Sequence, residues 1–196
     1  MPKVSICMCL YSRPEQLPII QEALDNQTFK DFEFLVWDNT KKNDGSKARF
    51  WLVKQAKGEA IIFIDDDEIP NPDFVEYMYN EYLKYPKCVL GWFTRIFKGA
   101  YQKDAITNSS YGTEVDYVGT GGMIVSKKLF DDNPVLYDIP KEIDKVEDLF
   151  LCHIAKQNGY RLIAVKKKLK MIVDGKNQCK DLWAYKENAY KILNNA

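Results

Sequence analysis

Asp65, Asp66, Asp67 and Glu68 follow directly on the apolar run Ile61-Ile62-Phe63-Ile64. Adjacent anions repel, so an acidic tetrad at the end of a buried segment points to a positive partner. A hard divalent cation held by carboxylate oxygens fits, its shell completed by substrate phosphates and water. In an extended chain residues i and i+2 face the same way, which would turn Asp65 and Asp67 toward one ligand. The alternative is a solvated turn that caps the next helix. Asn71-Pro72-Asp73, however, already reads as a helix start without the tetrad. Glu147 and Asp148 stand at the beginning of a helical pattern, where acids complement the helix dipole by a few tenths to about 1 kcal/mol. Asp38 reads by itself as a turn residue after a strand, and Tyr11 as packing. His153 is the sole histidine. It falls on the stripe Val146, Leu149, Phe150, His153, Ile154, which makes it a buried structural residue.

The elements that must position these groups follow from hydrophobic spacing. Val4–Leu10 predicts a strand buried on both faces, and Ser12 and Pro14 open a helix with Leu17, Ile20, Ala23 and Leu24 on one side. A strand over Phe32–Trp37 ends at Asp38-Asn39. A polar loop, 40–46, leads to a helix from Lys47 to about Lys57. The tetrad strand is next, then a helix from Pro72 to about Tyr85. This βαβαβα order predicts a parallel sheet with helices on both faces, and the acids then fall at the carboxyl ends of strands, where such sheets bind ligands. A strand over 89–97 and a long irregular loop over 98–118 follow. Gly119-Thr120-Gly121-Gly122 precedes a strand over Met123–Val125, and 131–143 reads as another loop. Then come a helix over Val146–Asn158, strands near 161–165 and 169–173, and an amphipathic helix over 182–193.

The 196 residues suit one domain, and Lys+Arg and Asp+Glu balance at 28 each. A nucleic-acid binder would carry a basic excess, so that class is excluded on charge. The five cysteines form no CxxC pair, and their odd number suggests reduced thiols and a cytoplasmic location. No apolar run reaches the roughly 20 residues that cross a bilayer.

Taken together, the motifs resemble the family 2 glycosyltransferases, which have the GT-A fold. Pro2 to Pro14 is similar to the family's opening strand and nucleotide-contacting loop, Gln27 to Glu33 to its link into the second strand, and Asp38-Asn39 to the acidic position after it. Lys57-Gly58-Glu59 with Ile61 to Asp67 is similar to the strand leading to the DxD motif. Gly119 to Phe130 resembles the glycine-containing segment beside the sugar site, and Val146-Glu147-Asp148-Leu149 the ED motif. The resemblance implies a single-domain GT-A enzyme with a mixed, mainly parallel sheet. Residues 1–97 would form the nucleotide-sugar half and 98–196 the acceptor and catalytic-base half. It would transfer one sugar, with inversion, from a nucleotide-diphosphate sugar (a UDP-sugar favoured) to a carbohydrate or glycoconjugate acceptor, using Mn²⁺ or Mg²⁺.

The same resemblance implies the roles of individual residues. Asp67 would ligate the metal, while Asp65 contacts the ribose or shares the metal. Asp38 would accept a hydrogen bond from the base, and Tyr11 would pack on it. Arg13, Asp66, Gly121 and Gly122 would line the donor, and Arg49 would reach the diphosphate or base. Asp148 would be the general base, with Glu147 positioning. Asp174 replaces a late histidine of the family; it either ligates the metal or marks a lost role, and the sole histidine, His153, is the other residue that could complete the metal site. Gln178 to Trp183 resembles the QxxRW motif of processive synthases, but it lacks the arginine. Two other functions compete. A sugar-phosphate nucleotidyltransferase would need a glycine-rich, basic loop where Leu10-Tyr11-Ser12-Arg13-Pro14 stands. A non-catalytic carbohydrate-binding domain would use the tetrad for a structural cation.

Overall fold

β1 (Val4–Leu10) is buried along its whole length, as a strand covered on both faces must be. After it come α1 (Leu17–Asp25), β2 (Phe32–Asp38), the short α2 (Ala48–Leu52), β3 (Ala60–Ile64), β4 (Glu68–Pro70) and α3 (Phe74–Lys84). The chain continues through β5 (Cys88–Gly91), β6 (Thr94–Ile96), β7 (Ile106–Thr107), β8 (Tyr117–Val118) and β9 (Met123–Ser126). It ends with α4 (Lys127–Asp132), α5 (Glu147–Gln157), β10 (Arg161–Ala164), β11 (Leu169–Met171) and α6 (Leu182–Asn194). The computed structural model describes residues 1–103, 105–166, 169–176 and 181–194; Gln178 and Cys179 lie outside the described residues. Among the described residues no helix is long and apolar enough to cross a membrane.

The central sheet has six strands in the order β10-β5-β9-β3-β1-β2. β1 is parallel to β2 and β3, and β5 to β10, whereas β9 runs against both β3 and β5. The sheet is therefore mixed and mainly parallel, as the family resemblance implies, with β9 the departure from the parallel sheet that the order of elements predicts. Alternation along the strands feeds two apolar layers. Ile6, Met8, Ile62 and Ile64 pack with Ile20, Leu24, Phe74 and Met78 on one face, and Cys7, Ile61 and Phe63 pack with Phe50, Phe130 and Leu151 on the other. Phe63 touches the rings of Phe50 and Phe130, with centroids 5.2 and 6.0 Å away. Truncating such a buried ring costs about 3–5 kcal/mol.

The parallel strands bring the loops after β1, β2 and β3 to one edge. Leu10 lies opposite Asp38 and Met8 opposite Ile64. The reversed β9 delivers to that same edge the loop that precedes it: Met123 lies opposite Phe63, and the Gly122 N–H donates to the Phe63 carbonyl at 2.8 Å.

Four expectations change. The strand expected over 89–97 is broken into β5 and β6, and β6 joins β7 and β8 in a separate three-stranded sheet. The break follows from close packing, since a Cβ at Gly91 would lie 2.4 Å from Val118 Cγ1. The 98–118 segment is accordingly not a free loop. It carries β7 and β8, it is tied to β10 by Gly112 N to Ala164 O (2.8 Å) and Val115 N to Leu162 O (2.9 Å), and it buries Tyr101 and Tyr117. The helix expected to reach Lys57 stops at Leu52 and continues as turns, the Val53, Lys54 and Gln55 amides each bonding three residues back, until side chains of β1 and β2 capture the amides of Lys57 and Gly58. Glu33 Oε1 accepts from Lys57 N (2.6 Å) and Ser5 Oγ from Gly58 N (2.9 Å). The 131–143 segment contains short 3₁₀ turns at Pro134–Tyr137 and Lys141–Ile143.

Candidate active site

The tetrad does not run extended. The Glu68 N–H donates to the Asp65 carbonyl (3.2 Å), and Glu68 Oε2 accepts from the Asp65 N–H (2.9 Å), so the chain turns back on itself. Glu68 is buried beneath this turn, and burial, then the Asp65 charge, pushes its carboxyl well up. Alternation therefore fails as a guide: Asp66 and Asp67 share a partner, and Asp65 has its own. That partner is Arg13, itself buried, whose Nη1 lies 3.0 Å from Asp66 Oδ1 and whose Nη2 lies 3.7 Å from Asp67 Oδ2. The other oxygen of Asp66 accepts from the Tyr11 N–H at 3.0 Å, fixing the loop after β1 onto the turn. Arg13 also makes a two-pronged contact with Asp174, Nε and Nη2 each donating at 2.9 Å, and donates to the Lys176 carbonyl at 2.7 Å. The hydrogen bonds from Arg13 draw the Asp174 carboxyl down to about 2. The C-terminal strand reinforces the arrangement: β11 pairs with β4, and the Ile172 N–H donates to the Asp67 carbonyl at 2.7 Å.

Arg49 serves the other end of the turn. Its Nη2 lies 2.5 Å from Asp65 Oδ1, and its Nε lies 3.4 Å from Glu147 Oε1 and donates to the Ser46 carbonyl at 3.1 Å. Ser46 Oγ donates to Glu147 Oε2 at 2.5 Å. One guanidinium thus joins the acidic turn to the first residue of α5. Its Nη1 is buried and has no hydrogen-bond partner among the described residues. The loop that carries Ser46 and leads into α2 with Arg49 is shaped by buried Asn39, whose Nδ2 donates to Gly45 O (3.2 Å) and whose Oδ1 accepts from Asp44 N (3.1 Å). Burial pushes the Glu147 carboxyl up to about 7, with Arg49 opposing. Asp38 lies at the exposed end of β2, where its Oδ1 accepts from the Thr40 hydroxyl (2.6 Å) and amide (2.8 Å); the Thr40 hydroxyl lowers its carboxyl.

Asp148 faces a second environment. Its Oδ2 accepts from the Tyr117 hydroxyl and lies 2.8 Å from Lys186 Nζ, and its Oδ1 accepts from the Leu149 N–H at 2.8 Å. Lys186 also donates to Tyr117 Oη at 2.5 Å. All three side chains are buried. Burial works against the Lys186 charge, but Asp148 outweighs it and the ammonium is held up at about 12. Burial, then the Asp148 charge, pushes the Tyr117 phenol well up.

The structure thus gathers Tyr11, Arg13, Arg49, Asp65, Asp66, Asp67, Asp174 and Glu147 into one bonded network and sets Asp148 beside it on α5. Gly121 belongs to the same edge, since a Cβ there would meet Glu68 Oε1 at 2.3 Å. His153 lies instead among Phe97, Asp116, Lys156 and Tyr190, around an open cavity of about 340 Å³, and burial lowers its imidazole. Sequence reasoning missed Glu68 as the support of the turn, and Tyr117 and Lys186 as the partners of Asp148. A signal existed for Lys186: Leu182, Lys186, Ala189 and Leu193 form one helical stripe, and a lysine on an apolar stripe needs a partner.

A divalent cation can be tested against this site. Among the described residues no three His, Cys, Asp or Glu side chains converge to hold a metal by themselves. Asp65 and Asp174 are engaged by arginines. Asp67 is less satisfied: its side chain is 28% exposed, its nearest cation is 3.7 Å away, and burial, then the Asp65 charge, pushes its carboxyl up to about 6. A partly exposed carboxylate whose nearest guanidinium is at long range and already engaged by Asp174 fits a cation carried in with an anionic ligand.

Comparison with known proteins follows the same lines. The model of glycosyl transferase family 2 matches residues 39–131, just under half the chain. S. aureus TarS 1–349 in complex with UDP superposes with a TM-score of 0.67 at 19% identity, over 98% of this chain and 66% of that one. The UDP-GlcNAc complex of the same protein gives 0.67 at 19% identity, over 89% and 60%. A longer TarS structure gives 0.65 at 19% identity, over 98% and 40%. A comparison with curated proteins gave no match. At these identities the superpositions establish the fold, and the family match falls on the segment that runs from Asn39 through Arg49 and the acidic turn to α4. Residues 39–131 match glycosyl transferase family 2, and the chain as a whole has the GT-A fold.

Proposed function

We propose that the chain is an inverting glycosyltransferase that moves one sugar from a nucleotide-diphosphate sugar, with a UDP-sugar favoured, to an acceptor hydroxyl. The observation that carries this reading is the bonded path Asp65–Arg49–Glu147, which sets the acidic turn beside Asp148. The UDP and UDP-GlcNAc complexes of TarS support the choice of donor. Mn²⁺ or Mg²⁺, when bound, supplies charge neutralisation for the departing diphosphate, and Asp67 is the side chain that would hold it. Arg49 keeps Asp65 and Glu147 in register and offers its spare Nη1 to the donor. Asp38 and Tyr11 receive the nucleotide, while Gly121 and Gly122 let the backbone come close to the sugar. Asp148 accepts the proton of the attacking hydroxyl as that oxygen bonds to the anomeric carbon and the diphosphate leaves on the opposite side. One displacement inverts that centre. The free, buried cysteines Cys7, Cys9, Cys88 and Cys152 support a reducing, cytoplasmic setting.

A panel of nucleotide sugars, each with Mn²⁺, Mg²⁺ or excess chelator, tests the reading by thermal shift and by donor hydrolysis. Stabilisation by one donor class that disappears on chelation is the expected result, because a ligand that binds only the folded state raises its stability. Equal binding with chelator would remove the metal from the reading. Stabilisation by no nucleotide would remove the transferase reading itself.

A further inference from the structure

Lys186 has no ordinary reason to be where it is. Lysines rarely lose their water, and burying an unpaired ammonium costs several kcal/mol. Yet Lys186 is 6% exposed, on the packed face of α6 with Ala189. A leucine or methionine there would seat α6 without any ionic partner. What the lysine gains is contact with Asp148 Oδ2 at 2.8 Å and Tyr117 Oη at 2.5 Å. Tyr117 in turn donates to the same Asp148 oxygen. The Leu149 N–H holds Oδ1 at 2.8 Å, so the carboxylate is gripped from three directions, by β8, by the first turn of α5 and by α6.

We propose that Lys186 is a positioning residue for the transfer reaction: α6 brings its ammonium to Asp148 so that this carboxylate keeps one rotamer and its negative charge until it receives the acceptor proton. The inference rests on the glycosyltransferase reading above. The groups facing Lys186 are few: Asp148 and Glu147 on α5 supply negative charge, and Tyr101 and Tyr117 supply phenols. Cys152 of α5 senses the Lys186 charge and is pushed up to about 12, chiefly by burial. Asp148 is the carboxylate in hydrogen-bond reach, so the lysine acts first on it. When the proton arrives on Asp148, the Tyr117 hydroxyl and the ammonium remain as donors, and this favours its prompt return to solvent. Covalent chemistry involving Lys186 is neither needed nor implied.

Three variants test the idea. Lys186→Met keeps length and apolar volume but removes the charge. It should lower kcat about tenfold or more, leave the donor KM within about twofold, and move the acid limb of the kcat–pH profile upward by about one unit, since losing a nearby cation favours the protonated carboxyl. Lys186→Arg should restore most of the pH profile. Tyr117→Phe removes the second donor to Oδ2 and should move the limb the same way by less. It also serves as the test if Lys186→Met fails to melt cooperatively. A carboxyl-carbon NMR titration of Asp148 in the donor-free protein reads the same shift without turnover. If the folded variants leave both the acid limb and the Asp148 titration where they are in the unaltered protein, Lys186 is structural only and the proposal is wrong. If the unaltered protein processes no nucleotide sugar, the transferase reading fails, and the titration still decides whether Lys186 governs Asp148.

Discussion

The two acidic centres on either side of Arg49 are balanced in opposite ways. In the acidic turn, Asp65 and Asp67 are 35% and 28% exposed at the side chain, and their partners are guanidiniums reaching in from the short α2 and from the loop after β1. Around Asp148, carboxylate, phenol and ammonium are sealed in and supplied by regular elements. Attraction between charges about 4 Å apart is worth about 4 kcal/mol where water is partly excluded and only about 1 kcal/mol in open water. The open centre can therefore exchange partners with a charged ligand at modest cost, whereas the sealed centre cannot rearrange without leaving a charge unpaired. A site that binds and releases an anionic donor needs the first property, and a group that must be in place before its substrate arrives needs the second.

The sharpest way to break the contrast is Asp148→Asn. It should reduce kcat by at least about two orders of magnitude with donor affinity nearly unchanged. Because Lys186 loses its counter-charge, stability should fall by about 3–5 kcal/mol, read by denaturant unfolding. Activity near normal in this variant, with a folded Glu147→Gln protein inactive, would move the base to the open centre. Next in size is Asp67→Asn, expected to weaken metal-dependent nucleotide binding by about tenfold or more in calorimetry. Asp66→Asn should leave the metal dependence in place and act on stability, by about 1–3 kcal/mol, because it disturbs the acceptor of Tyr11 N–H and Arg13. Equal loss of metal dependence in the two variants would mean that the turn acts as a single cluster.

Gly121→Ala is a subtler probe of the open centre. Its Cβ would collide with Glu68 Oε1, and relief requires Glu68 to loosen its hold on the Asp65 amide. A stability loss of about 1–3 kcal/mol and weaker donor binding are expected; unchanged binding would show that the turn tolerates a shifted Glu68. The smallest effect concerns pH. Glu147 has its folded-state value raised from 4.5 to about 7, chiefly by burial, so its proton is bound more tightly in the folded protein. Its contribution to stability is therefore full below 4.5 and declines as pH rises toward 7. Melting temperatures measured from pH 4.5 to 7.5 should show that decline, and Glu147→Gln should flatten it; an equally steep decline in the variant would assign it to another group.

Legibility in the sequence tracked how local the governing contacts are. The strand before the tetrad and the helix after Val146 were readable because their apolar spacing and end signals lie within a few residues. The family frame then directed attention to Arg13, Arg49 and the two acidic motifs. What escaped was set at a distance. The break after Gly91 depends on Val118 pressing against it, and the end of the turns that follow α2 on Glu33 and Ser5 taking the amides of Lys57 and Gly58. The turn at Asp65–Glu68 overrode strand alternation because Glu68 bonds back to the Asp65 amide from below. The partnership of Tyr117, Asp148 and Lys186 joins three separated elements. Of these, only the lysine left a trace in the sequence, as a charge on the apolar stripe of α6, and it went unread because its partner lies on another element.

The clasp between Arg13 and Asp174 has a consequence for the order of events in time. These residues stand 161 positions apart, and Lys186 meets Asp148 across a further 38. Contacts of such separation form late, since the entropy of closing a long loop must be met before they return anything. On a ribosome, β1, β2 and β3 could pair, and Arg49 could find Asp65, while the last strand and helix were still inside the exit tunnel. The donor cradle would then lack its clasp and Asp148 its ammonium. Nucleotide affinity should appear abruptly once β11 and α6 have emerged, and stalled chains ending near residue 165 should be folded in part yet unable to bind.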